Sequence, residues 1–156
     1  MADFTIIELT DGDRIAVRNH LLRLSNEDRH LRFFAAMSDY AVEHYAMKVM
    51  DLIAGTAFGA VDGNGRLVGL AHASRIFLSG DRVQCEVGFS IDRDERSKGL
   101  SKLLMARVLI HCQNNGVEKL CMSCLRENKR MQALAKSFGL TMKIDFDEAY
   151  AELKIP

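Results

Sequence analysis

Apolar and polar residues alternate from Gln84 to Ile91: Cys85, Val87, Phe89 and Ile91 fall on one face, Glu86, Gly88 and Ser90 on the other. That period of two predicts a strand whose second face carries one carboxylate among small residues. The period then changes. After Arg96-Ser97-Lys98-Gly99-Leu100-Ser101, residues Leu100, Leu103, Leu104 and Val108 recur at helical spacing. They predict a helix from Leu100 to Asn115, stopped at Gly116.

The same two periods divide the rest of the chain. Strands are predicted at Phe4–Leu9, Thr56–Asp62, Arg66–Ile76, Lys119–Leu125, Leu140–Ile144 and Tyr150–Ile155. Gly63-Asn64-Gly65 reads as a hairpin turn between the second and third. Ser79-Gly80-Asp81 turns into the strand that carries Glu86, and the acidic segment Asp145–Glu148 joins the last two strands. Helices are predicted at Arg14–Leu24, through Leu31, Phe33 and Phe34 after the Ser25 cap, and from the Ser38 cap to about Ile53, with Gly55 marking its end. A last helix runs from Asn128 to Phe138 and stops at Gly139. With no internal repeat, low-complexity segment or long linker, residues 1–156 are expected to form a single domain. A domain of that size buries roughly two-thirds of its unfolded surface.

Charge removes some functions. Lys and Arg number 21, Asp and Glu 21, for a formal net charge of zero. A protein that holds nucleic acid through a global basic field is therefore not expected, although Arg93, Arg96, Lys98 and Lys102 form a local basic patch. No apolar run at the N-terminus has signal-peptide length, and no apolar stretch reaches the ~18 residues of a membrane span. The expectation is a cytoplasmic protein with no membrane partner. Cys85, Cys112, Cys121 and Cys124 fit reduced core thiols. Cys121-Met-Ser-Cys124 has the spacing of a chelating pair, but residues three apart on a strand point to opposite faces, so no metal is expected.

The chemistry lies around the Glu86 strand. Backbone N–H groups at a helix start lack partners and sit at the positive end of the helix dipole, so the Leu100 helix offers an anion site. Gly99 lets a ligand approach the backbone, and Arg96 and Lys98 add charge. Glu86 to Ile91 spans about 17 Å at ~3.3 Å per residue. An anion is thus expected at one end of this strand and a lone carboxylate near the other. A solvated Glu86 on an exposed sheet face fits the pattern equally well.

These residues resemble the GNAT superfamily of acyl-CoA-dependent N-acyltransferases. The superfamily's pyrophosphate loop reads Gln/Arg-x-x-Gly-x-Gly/Ala, and Arg96, Gly99 and Ser101 occupy its three marked positions, Ser101 departing from Gly or Ala. The Glu127–Leu140 segment resembles the helix that follows the splayed strand in this family, with Ala135 where many members carry a Tyr general acid. Leu24-Ser25, Leu31-Arg32-Phe33-Phe34 and Cys85-Glu86-Val87-Gly88 resemble segments of the acyltransferase domain of bacterial protein lysine acetyltransferases.

The resemblance implies an α/β (α+β) GNAT fold: a mixed, mostly antiparallel sheet of about six to seven strands, flanked by helices and splayed at its centre. It implies acetyl transfer from acetyl-CoA to a primary amine, either a protein lysine or a small amine. Glu86 is then the base. Arg96, Ser97, Lys98, Gly99, Leu100 and Ser101 hold pyrophosphate, Phe89, Ser90 and Ile91 pair with the pantetheine arm, and Asn128 lies near the thiol end. A half-buried setting would raise the pKa of Glu86 and improve it as a base. His72, Tyr40, Tyr45 and Tyr150 are further residues for the cleft border, with packing as the competing reading. The missing Tyr at 135 leaves a non-catalytic acyl-CoA sensor open. The Met-rich helix Tyr40–Ile53 is a candidate homodimer interface.

Overall fold

In the computed structural model the described residues are 3–51, 55–77, 80 and 82–156. They form β1 (Thr5–Glu8), α1 (Arg14–Leu22), α2 (Asn26–Phe33), α3 (Asp39–Val49), β2 (Gly55–Val61), β3 (Leu67–Phe77), β4 (Val83–Ile91), α4 (Leu100–Asn114), β5 (Lys119–Leu125), α5 (Lys129–Ser137), β6 (Thr141–Asp145) and β7 (Glu148–Lys154). The seven strands make one sheet in the order β1-β2-β3-β4-β5-β7-β6. Every pairing is antiparallel except β4 with β5. This is the mixed, helix-flanked sheet expected from the sequence.

Each sheet face has its own core, as period-two strands require. Cys85, Val87, Phe89 and Ile91 of β4 pack with Leu104, Met105 and Val108 of α4 and Leu134 of α5. The other face carries Leu70 of β3 against Val17 and Leu21 of α1 and Val42 and Ala46 of α3. The caps behave as their residue types demand: Ser25 accepts from the Asp28 N–H, Ser38 from the Ala41 N–H and Asn128 from the Met131 N–H.

Several boundaries shift by one or two residues, with α1 ending at Leu22 and β7 beginning at Glu148, and one region departs further. Helix α3 ends at Val49, and Gly55 opens β2 rather than closing the helix. Gly55 is needed because β3 passes so close that a Cβ would collide with the Ala73 carbonyl. The expected helix end at Leu52–Ile53, and Ser79 and Asp81 of the expected turn, lie outside the described residues.

One buried polar cluster fixes the end of β4. His20 of α1 is fully buried. Its Nδ1 lies 2.6 Å from Asp92 Oδ1 and its Nε2 2.8 Å from Ser90 Oγ. Arg23 donates to Asp92 Oδ2 at 3.1 Å and to the Leu67 carbonyl at 2.6 Å. Burial alone would raise the Asp92 carboxyl, but the hydrogen bond and charge of His20 and the charge of Arg23 outweigh it and hold the group below its ordinary range. Replacing Asp92 with Asn should cost about 3 kcal/mol, the scale for removing one partner of a buried pair. Urea unfolding at pH 7 reads the loss, and a cost under about 1 kcal/mol would mean that the cluster does not hold β4 in place.

Candidate active site

Strands β4 and β5 pair only at Gln84–Lys119, Cys85–Leu120 and Glu86–Cys121. Beyond Glu86 they separate: β4 continues beside β3 and β5 beside β7. Antiparallel strands alternate which residues face the partner. The Asp92 N–H donates to the Val68 carbonyl on β3 at 2.8 Å, and the register runs unbroken back to Val83. By that alternation Val87, Phe89 and Ile91 turn their backbone N–H and C=O groups away from β3, into the gap. Ser90 turns its own toward β3, and its hydroxyl meets His20. The expectation that Ser90 offers a free backbone edge is therefore corrected, because the strand's alternation commits those groups to β3. Ser90 lines the gap without such an edge.

The gap opens into a cleft of about 390 Å³. Phe89, Ser90 and Ile91 form one wall, Leu24, Leu31 and Arg32 a second, and Met131 and Leu134 a third. The floor is the loop before α4, including Arg96, Ser97, Gly99, Leu100 and Ser101. Gly99 is the N-cap of α4 at φ 80°, with no side-chain cap and no acidic residue in the first turn. The first N–H groups of α4 are thus uncapped, and the dipole's positive end is uncompensated. A Cβ at Gly99 would meet nothing within 4 Å, so a ligand has room against that backbone.

Lys98 departs from the expected arrangement. Its ammonium bonds Glu95 at 2.8 Å and is not part of the cleft wall. Arg96 lines the cleft but is held at 2.8 Å by Asp28, a buried carboxylate on α2. Arg93 and Arg130 flank the same carboxylate at 3.8 and 3.7 Å. Burial would raise the Asp28 carboxyl, yet hydrogen bonds from Arg96 and Ser25 and the charges of Arg96 and Arg93 hold it below its ordinary 3.8. Asp28 and Arg130 were not singled out from sequence. Asp28 follows the Ser25 cap in sequence, and nothing local signals that three arginines converge on it.

Glu86 sits at the apex of the split, opposite Ser74 and Cys121. It is solvent-exposed, so the half-buried setting expected for it is absent. Arg32 lies over Gly88, two residues on. Asn128 lines the cleft with its carboxamide oxygen engaged as the α5 cap. Ala135 is buried in the core. Tyr150 lies across the split and donates to Glu152 at 3.1 Å, and burial raises its phenol. Tyr40 is exposed, whereas Tyr45 and His72 meet beside Arg32. All four cysteines are buried and free. Among the described residues no three metal-ligating side chains lie together, and no helix is long and apolar enough to cross a membrane.

The Asp28 cluster predicts an acid response. A depressed carboxyl contributes stability that is present above its unfolded pKa and is lost as pH falls through the folded value. Asp28→Asn should cost about 2 kcal/mol at pH 7, the scale of a hydrogen bond to a charged group. The variant should also lose less than the parent between pH 5 and pH 2. Urea midpoints across that range check this, and parallel pH curves would contradict it.

The sequence profile of the acetyltransferase (GNAT) family matches residues 18–140. Among solved structures, the GNAT domain of PAT from S. lividans superposes with a TM-score of 0.82 at 18% identity, covering 96% of this chain and 89% of that one. Spermidine N-acetyltransferase from Vibrio cholerae, solved with CoA and spermine, gives 0.76 at 18% identity over 97% and 95%. Salmonella typhimurium yncA, solved with its cofactor acetyl-CoA, gives 0.76 at 16% identity over 99% and 95%.

Proposed function

Since the chain belongs to the acetyltransferase (GNAT) family, whose donor is acetyl-CoA, we propose that it transfers an acetyl group to a primary amine by direct attack, with Glu86 as general base. The observation that carries this reading is the split after Glu86. It leaves the outward backbone groups of Phe89 and Ile91 beside a helix start with a glycine cap. An amide-bearing arm pairs with such an edge as an added strand does.

The residues present fit the donor. The uncapped N–H groups of Leu100, Ser101 and Lys102 suit a pyrophosphate, with Arg96 and Arg130 adding positive charge at the cleft. Leu24, Leu31, Met131 and Leu134 supply an apolar lining. Bound acetyl-CoA supplies the activated thioester.

The protein's own task is to position the donor and remove a proton. An alkyl ammonium has a pKa near 10.4, so only about one amine in 10³ is free base at neutral pH. Glu86, at the apex where the open edge begins, accepts the ammonium proton and returns it to bulk water, to which it is exposed. Likeness to the S. lividans PAT domain carries the fold alone, so a protein lysine and a small amine both remain within this reading. A second reading, a non-catalytic acyl-CoA sensor, draws on the exposure of Glu86 and the buried Ala135. Thiol release from acetyl-CoA in the presence of amines separates the two.

Gly99→Val should raise the acetyl-CoA dissociation constant at least ~tenfold, or about 1.4 kcal/mol. Valine at φ 80° is strained, and its branches fill the open approach. Calorimetry with a folded variant checks this, and unchanged affinity would remove the loop from the donor site. Glu86→Gln should bind acetyl-CoA as the parent does and lose roughly 10²–10⁴ in turnover at pH 7. The loss should shrink at high pH, where more amine is already free base. Turnover above about a third of the parent's would defeat the assignment of Glu86 as base.

A further inference from the structure

One cation in the cleft wall is not used by the donor site. Arg32, near the end of α2, donates from Nη2 to Tyr45 Oη at 2.7 Å. Its guanidinium lies 5.0 Å from the Phe33 ring centre and 5.5 Å from that of Tyr45. It also lies flat on Gly88 of β4, where a Cβ would come within 2.5 Å of Cζ. The other arginines of this region each face a carboxylate: Arg93, Arg96 and Arg130 face Asp28, Arg23 and Arg66 face Asp92, and Arg29 faces Asp39. Among the described residues Arg32 enters no ion pair.

The neighbours of Arg32 orient it and offer more donors. Tyr45 Oη accepts from Arg32, so its own proton is directed to His72 Nδ1, 3.3 Å away. That assigns the remaining imidazole proton to Nε2, which is buried and has no partner among the described residues. Burial and the charge of Arg32 hold the ring neutral, with its pKa down at about 4. The free valences here are therefore N–H groups, suited to an anion and hostile to a second cation. Of this group it is Arg32 that reaches the cleft wall, with His72 and Tyr45 behind it.

We propose that Arg32, held by Tyr45, which His72 holds in turn, binds a carboxylate of the acceptor, so that the acetylated amine belongs to an amino acid or a similar carboxylated amine. The proposal rests on the acetyl-transfer reading above. Gly88, under Arg32, and Glu86 are two residues apart on β4, about 6.6 Å at ~3.3 Å per residue. An amino acid carries its two charges a few bonds apart, so its ammonium meets Glu86 while its carboxylate meets Arg32. The planar guanidinium retains N–H groups beyond the one given to Tyr45 and suits a two-oxygen acceptor. A polyamine would bring a second positive charge toward Arg32, and a lysine side chain within a protein carries no carboxylate beside its amine.

Calorimetry on the CoA-saturated protein tests this without requiring turnover. The ligands are L-amino acids paired with their C-terminal amides, together with spermidine and an end-blocked lysine peptide. The carboxylate members should bind at least ~tenfold tighter than their amides, and Arg32→Gln should abolish that difference. Tyr45→Phe, which removes the oxygen that orients Arg32, should narrow it. If Arg32→Gln does not fold, the paired ligands in the parent decide. Equal or tighter binding of the amides, spermidine or the peptide, or no binding of any carboxylate member, would overturn the proposal. Carboxylate preference without thiol release would instead defeat the acetyl-transfer reading, and thiol release to amines without that preference would defeat this one alone.

Discussion

A backbone group buried without a partner is costly, and the parting of β4 from β5 after Glu86 leaves a run of them along one edge in the middle of the sheet. In an ordinary sheet that edge would be closed by the next strand. Here β5 keeps its other neighbour, β7, through the whole length Lys119–Leu125, and β4 keeps β3. Each strand is thus held from its outer side while the inner sides diverge. The gap is stable because its walls are finished by helices: Leu31 from α2 on one side, Met131 and Leu134 from α5 on another. The open edge and the apolar lining follow from one parting, and the anion-receptive start of α4 borders the same cleft.

Electrostatics hold that arrangement in register. Two buried aspartates, Asp28 and Asp92, act as anchors on either side of the loop between β4 and α4. Asp92 ties the end of β4 to α1 through His20 and Arg23, and Asp28 ties the loop to α2 through Arg96. In each the burial cost is outweighed by more than one cationic or hydrogen-bonding partner, which is the condition under which a buried carboxylate stays ionised. The formal charge of zero therefore hides strong local fields. Arg32 differs from these arginines in having aromatic and backbone neighbours in place of a carboxylate.

Period-two alternation located β4 because its Cys85–Ile91 face is apolar while Glu86 and Gly88 interrupt the other, and β5 was placed at its observed bounds, Lys119–Leu125. The glycine-capped start of α4 was readable because Gly99 stands directly before a helical repeat. Gly55 was misread as a helix stop because a glycine needed for close strand approach looks the same in sequence as one that ends a helix. Ser90 was assigned by neighbourhood to the free edge, but only the hydrogen-bond phase of β3 against β4 decides which residues face the gap. Arg32, Tyr45 and His72 come from α2, α3 and β3, while Asp28 meets arginines from the loop before α4 and from α5, and no local period carries either convergence. The exposure of Glu86 is again a tertiary property.

The central claim is that the β4 edge is where the donor's arm pairs. Amide hydrogen exchange, residue by residue and with and without CoA, tests it most directly. The account predicts that the Phe89 and Ile91 amides, facing the gap, gain protection on CoA binding together with those at the start of α4. The Ser90 amide, already committed to β3, should change little. Protection of Ser90 in place of Phe89 and Ile91, or binding of CoA with no change along β4, would contradict it.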